Sequence, residues 1–174
     1  MPADRSNIVL IGMPGAGKST VGVILAKKMA MDFIDTDLLI QRRQKRTLQE
    51  IVDSDGYFAL RRIEEEVLLG LSAGTCVIST GGSAVYSQKG MESLKSSGIV
   101  IFLDVALETL EKRVHDYHKR GLAKRPDQSF EELFAERFAL YTGYADITIT
   151  CDHLTPELVC DEIIGKLEGY CLAT

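Results

Sequence analysis

The run Gly12-Met13-Pro14-Gly15-Ala16-Gly17-Lys18-Ser19 has the spacing Gly-x4-Gly-Lys-Ser. Glycines at these positions accept positive φ and leave backbone N–H groups free to converge on an anion, and a helix beginning at the lysine adds its positive end. Lys18 supplies a point charge for β- and γ-phosphates, and the Ser19 hydroxyl is a hard ligand for magnesium. Gly15, Ala16, Gly17, Lys18, Ser19 and Thr20 are therefore expected to hold the phosphates of a nucleoside triphosphate. The competing reading is a glycine-rich turn without a ligand. It loses ground because an apolar strand precedes the motif and a helical pattern follows it. A guanine reader would normally add Asn-Lys-x-Asp, whereas the single asparagine, Asn7, lies ahead of the loop. ATP with Mg2+ is the expected pair.

Downstream, Asp35 and Asp37 stand two apart at the end of an apolar run. In extended backbone their carboxylates would point to one side, where one could hold magnesium through water and the other accept a proton from an attacking hydroxyl. The alternative has Asp37 capping the next helix and Asp35 in a turn. Arg61 precedes Glu64 and Glu65 by three and four residues, a spacing that lets a carboxylate on its own helix orient its guanidinium. Such a fork suits a carboxylate ligand, while a surface ion pair is the plainer reading. Thr80-Gly81-Gly82-Ser83 lets a ligand approach the backbone closely, or is only a tight turn. Arg137 lies in Glu136-Arg137-Phe138-Ala139-Leu140-Tyr141. Ile99 to Asp104 also has the look of a strand ending in a magnesium-holding acid, but the Asp35–Asp37 pair lies nearer the phosphate loop in sequence.

These residues need elements to carry them. Asn7 to Ile11, Phe33 to Asp35, Thr75 to Ser79, Gly98 to Leu103 and Asp146 to Thr150 read as strands. Between them, Lys18 to Met31 and residues 57 to 72 have helical period. Thr47 with Glu50, and Ser129 with Glu132, form capping boxes that open two more helices, and Thr155-Pro156 opens the last. Alternating strands and helices predict an α/β three-layer fold, a five-stranded parallel sheet with helices on both faces. Ligands in such sheets bind beyond the carboxyl ends of the strands.

With 174 residues, 45% apolar and 26% charged, the chain fits one globular domain, residues 1–174 with a core over about 7–170. Its net charge of −5 gives no general pull toward nucleic acid. Arg42-Arg43-Gln44-Lys45-Arg46 reads as a solvated helix face, and Lys119-Arg120 as a small local patch. No stretch is long and apolar enough for a membrane span, and the six residues before the first apolar run leave no room for a signal peptide, so a cytoplasmic location is expected. The four scattered cysteines indicate neither a zinc site nor a disulfide framework. His115 and His118, three apart, are read as surface residues rather than a metal pair.

Taken in order, Gly12 to Thr20, Asp35-Thr36-Asp37, Leu60-Arg61-Arg62-Ile63-Glu64, Thr80-Gly81-Gly82, Arg125-Pro126, Arg137 to Tyr141 and Ala145-Asp146 resemble the shikimate kinase family over about residues 7 to 165. The resemblance implies a P-loop, nucleoside-monophosphate-kinase-like architecture with a mobile lid, here about 114–128. It implies a monomer that transfers the ATP γ-phosphoryl group to the 3-hydroxyl of shikimate, in the chorismate pathway of aromatic amino-acid biosynthesis. It also assigns roles: Lys18 on the phosphates, Ser19 and Asp35 on magnesium, and Asp37 as base and substrate ligand. Arg61 and Arg137 would grip the carboxylate beside Gly81 and Gly82, with Arg113 and Pro156 around adenine. The family lid usually runs Arg-Pro-Leu-Leu, whereas Arg125-Pro126 is followed here by Asp127-Gln128, and Ser83 replaces a usual third glycine. Arg125 is assigned as the lid arginine, with Arg120 as the alternative. A kinase of another small hydroxylated carboxylic acid, or a non-catalytic ATP-binding regulatory protein of the same fold, remain as rival readings.

Overall fold

A computed structural model describes residues 5–113 and 121–173. Five strands form the sheet: β1 (Asn7–Ile11), β2 (Asp32–Asp35), β3 (Cys76–Ser79), β4 (Gly98–Asp104) and β5 (Ile147–Thr150). All pair in parallel in the order β2-β3-β1-β4-β5. β1 is central, and all five of its residues are buried. A strand covered on both faces has no polar side to alternate, which is why it reads as an unbroken apolar run.

The helices are α1 (Lys18–Met29), α2 (Thr36–Gln44), α3 (Leu48–Asp55), α4 (Tyr57–Leu69), α5 (Gln88–Ser97), α6 (Leu107–Arg113), α7 (Phe130–Tyr144) and α8 (Pro156–Ala173). Right-handed crossovers that step in opposite directions from the sheet centre put their helices on opposite faces. Accordingly α1 packs with α8, while α4 packs with α5 and both α5 and α7 meet β4. Both expected capping boxes are present, at Thr47 with Glu50 and at Ser129 with Glu132.

The element boundaries differ from expectation in instructive places. β3 starts at Cys76 because Thr75 sits at φ 56, and β5 starts at Ile147. Asp146 instead turns its carboxylate back to accept from Val100 N at 2.9 Å and from Arg5. α1 ends at Met29, with Ala30 at φ 53 as its cap. The sequence pattern does not mark α5 and α6 individually, because both helices are short with few apolar positions. Cys76, Cys151 and Cys160 are free and buried, as reduced thiols should be. His115, His118, Lys119 and Arg120 lie outside the described residues. Among the described residues, no helix is long and apolar enough to cross a membrane.

Two apolar clusters result. The larger one fills the sheet and its two helical layers. A smaller one joins Ile40, Ile51, Leu60, Ile63, Val67 and Ala123, tying α2, α3 and α4 to the segment that follows residue 120.

Candidate active site

The phosphate loop leaves β1 at Gly12, whose φ of 149 suits glycine and whose Cβ would stand 2.9 Å from the Leu103 carbonyl oxygen of β4. Gly15 and Gly17 also take positive φ, 85 and 93, and Gly17 caps α1. The loop therefore has the glycines it needs where the backbone turns toward a ligand. Lys18 is buried, and its Nζ donates to the carbonyls of Gly12 at 2.8 Å and Met13 at 2.9 Å. Burial lowers its pKa to about 8, against the opposing pull of Asp37.

Ser19 Oγ donates to Asp35 Oδ2 at 2.6 Å, and Ser79 Oγ lies 3.4 Å from it. The other oxygen of Asp35 accepts from Asp37 N at 3.0 Å and Leu38 N at 3.3 Å, so Asp35 is the N-cap of α2. This corrects the extended-pair geometry. The chain becomes helical at Thr36, and it is Asp35 that caps while Asp37 projects from the first turn. The two carboxylates still serve one region, because a helix first turn holds residues close to its cap. Burial raises Asp37 to about 6; Lys18 pulls it down and Asp35 pushes it up.

A cavity of about 410 Å³ joins the phosphate loop to Asp37, Glu64, Gly81, Gly82, Ala123 and Arg137. Arg137 is 1% exposed and donates from Nη2 to Ala123 O at 3.2 Å. Arg61, half-buried, donates to the same carbonyl at 3.0 Å. Both Nε atoms are buried with no hydrogen-bond partner. The two glycines are required sterically: a Cβ on Gly82 would come within 2.8 Å of Arg137 Nη1, and one on Gly81 would collide with Glu64 Oε1 and Asp37 Oδ1.

The expected carboxylate partner of Arg61 is not found. Glu64 accepts from Ser83 Oγ, and Glu65 accepts from Ser87 Oγ at 2.5 Å. Helical spacing placed these acids near Arg61 but could not say which way they turn, and hydroxyls following β3 capture both. Aromatic rings hold Arg61 instead, with its Cζ 3.5 Å from the Tyr86 ring centroid and 5.2 Å from that of Tyr57. Glu64 is the acid that sequence reasoning undervalued. It is buried in the cavity wall with Oε1 lacking a hydrogen-bond partner, and burial together with nearby Asp37 raises it to about 7.

The remaining expected residues are more dispersed. Arg113 reaches Gly15 O at 3.4 Å from the end of α6. Pro156 opens α8 and does not line the cavity. Arg125 is exposed, 3.9 Å from Glu136, while Gly121, Leu122 and Ala123 line the cavity.

A family model described as shikimate kinase matches residues 14–168. The chain belongs to the shikimate kinase family. The shikimate kinase of Sulfurihydrogenibium sp. is 36% identical over 163 residues, covering 93% of this chain and 98% of that protein. That of Haemophilus influenzae is 36% identical over 171 residues, with 96% and 95% covered. Among solved structures, shikimate kinase from Acinetobacter baumannii in complex with shikimate superposes with TM-score 0.87 at 31% identity, covering 94% of this chain and 93% of that one. The Aquifex aeolicus shikimate kinase gives 0.83 at 35% identity, covering 97% and 99%. Deoxyadenosine kinase from M. mycoides, at 15% identity and TM-score 0.62 over 94% of this chain and 99% of that one, shares the fold alone. Within the shikimate kinase family, the serine at position 83 has a physical use here, because its hydroxyl is the one hydrogen-bond donor given to Glu64 among the described residues.

Proposed function

We propose that this chain transfers the γ-phosphoryl group of ATP to the 3-hydroxyl of shikimate. One observation carries the acceptor side: two guanidinium groups from α4 and α7 meet at Ala123 O, each with a buried unpartnered Nε, beside a cavity shared with Asp37 and the phosphate loop. Paired forks of this kind match a carboxylate, and Asp37 in the same cavity wall is the carboxylate assigned to a hydroxyl of the same molecule.

On this reading Lys18 leaves the carbonyls of Gly12 and Met13 for the phosphates, and Thr20 and the backbone of Gly15 to Gly17 complete the cradle. Arg113 and Pro156 flank adenine. Arg61 and Arg137 hold the acceptor carboxylate against the glycine wall of Gly81 and Gly82. Asp37 accepts the hydroxyl proton as the oxygen bonds to the γ-phosphorus, and the bond to the β–γ bridging oxygen breaks to release ADP. A lid over about 114–128 contributes Arg125, or Arg120, to the transferring group. The residues present fit Mg2+: Ser19 Oγ and Asp35 Oδ2, 2.6 Å apart, are hard oxygens at the loop, and such ions are commonly held by one or two carboxylates plus phosphates. When bound, Mg2+ would neutralise charge on the β- and γ-phosphates. A single-domain cytoplasmic monomer completes the reading, on the family resemblance.

A coupled ADP assay with a panel of hydroxylated carboxylic acids tests it. ADP release should require both shikimate and Mg2+, and Arg61→Ala should raise the shikimate KM while leaving the ATP KM near its starting value. Turnover with a different acid only would overturn the acceptor. ATP binding without turnover of any acceptor would overturn the kinase itself.

A further inference from the structure

Two guanidinium groups standing together repel, and the usual remedy is a carboxylate between them. Among the described residues, neither Arg61 nor Arg137 is given one as a hydrogen-bond or ion-pair partner; each donates to the neutral carbonyl of Ala123. What faces both is an aromatic ring. Arg61 Cζ lies 3.5 Å from the centroid of Tyr86, in face contact, and Arg137 Cζ lies 5.4 Å from it. The negative face of a ring attracts a guanidinium without accepting its N–H groups in strong hydrogen bonds. A carboxylate in the same place would occupy the donors that a ligand's carboxylate needs. The buried, unpartnered Nε atoms of both arginines agree with that division of labour.

The ring is itself held in place. Tyr86 ends the 3-10 turn Ala84–Tyr86, which directly follows the glycine wall. Its hydroxyl donates to Glu136 Oε1, and Glu136 Oε2 accepts from Gln128 Nε2 at 3.0 Å. Gln128 is 5% exposed and closes the turn that begins at Arg125, its N–H donating to Arg125 O at 3.2 Å. The groups that fix the ring therefore come from α7 and from Gln128 at the end of the expected lid.

We propose that Tyr86 is a positioning residue for the acceptor carboxylate, its ring holding Arg61 and Arg137 together without a protein carboxylate between them. This rests on the acceptor reading above, and the experiment separates the two. Tyr86→Leu removes the ring, whereas Tyr86→Phe keeps it and loses only the hydroxyl. The Leu variant should raise the acceptor KM about tenfold, the effect of one partly buried cation–π contact, with kcat and the ATP KM little changed. The Phe variant should stay within about threefold of the parent, as expected where the ring face is the main contribution. An acceptor KM in the Leu variant equal to that in the Phe variant overturns the inference.

A second readout needs no turnover. In the parent protein the Arg61 Nε–H resonance, assigned by its loss in Arg61→Lys, should be displaced by the ring current of Tyr86. A resonance at the ordinary arginine position overturns the inference as well. If the parent turns over a different acid, that acid's KM becomes the measured quantity, so the acceptor assignment can fail while Tyr86 stands.

Discussion

Three ionisable side chains, Lys18 and Glu64 buried and Asp37 partly so, face one cavity: Lys18 lowered to about 8, Asp37 raised to about 6 and Glu64 raised to about 7. Burial is the first cause in each case, because it penalises whichever form is charged. Between the first two values Asp37 is a carboxylate and Lys18 an ammonium, the pairing that proton abstraction beside a polyphosphate needs. In kcat/KM, which reports free enzyme, activity should rise with pH through about 6 and fall through about 8. The sign follows from the proposed roles: protonating Asp37 would remove the base, and deprotonating Lys18 would remove the charge. In kcat the alkaline limb should move upward, since bound phosphates favour the ammonium. Glu64→Gln is the control. If the acid limb near 6 disappears in that variant, the limb belongs to Glu64 and Asp37 is not the group that titrates there.

The segment after residue 120 acts as an element although it is neither helix nor strand. Gly121 sits at φ 60 and donates to Gln49 Oε1 at 2.7 Å, and a Cβ there would collide with the backbone of Leu48 and Gln49 at the start of α3. Two residues on, Ala123 O receives both arginines. Gly121→Ala should therefore displace that carbonyl. We expect a several-fold rise in acceptor KM, an unchanged ATP KM, and a loss of about 1 to 3 kcal/mol in urea unfolding, from left-handed backbone strain plus overpacking. An unchanged acceptor KM would show that the carbonyl tolerates the shift. This element could not be read in advance, because a glycine's need for space is set by the helix it happens to touch.

For the whole molecule, Asp146 joins chain regions that are distant in sequence. Its carboxylate accepts from Arg5, from Lys95 Nζ at 3.2 Å and from Val100 N at 2.9 Å, linking the N-terminal approach to β1, α5 and β4 at the head of β5. Burial pushes its pKa up, but these donors outweigh burial and hold it below the usual carboxylate range. The side chain is 9% exposed, whereas Arg5 and Lys95 are 31% and 40% exposed, so the cations can find water when it is lost. Asp146→Ala should cost about 2 kcal/mol, between the values for exposed and buried pairs. Denaturant midpoints would show this, with both KM values unmoved because the residue lies at the opposite end of the strands from the phosphate loop. A shift in KM would mean that the sheet transmits strain to the site.

Much of this architecture was legible from neighbouring residues. Apolar runs marked all five strands, the two capping boxes opened the expected helices, and the glycine spacing announced the phosphate loop, since each signal acts within a few residues of itself. The acceptor side was different. Asp35 proved to be the cap because the chain turned helical one residue sooner than strand spacing assumed. Apart from Tyr57 on the same helix, the partners of Arg61 come from the turn after β3 and from residue 123, and Glu64 turned to Ser83 instead. Protonation states depended on burial, which no local pattern reports. Chemistry that a contiguous segment performs can be read along the chain; chemistry that needs α2, α4, α7 and the glycine wall to converge exists only once they are packed, because distance and desolvation set its energies.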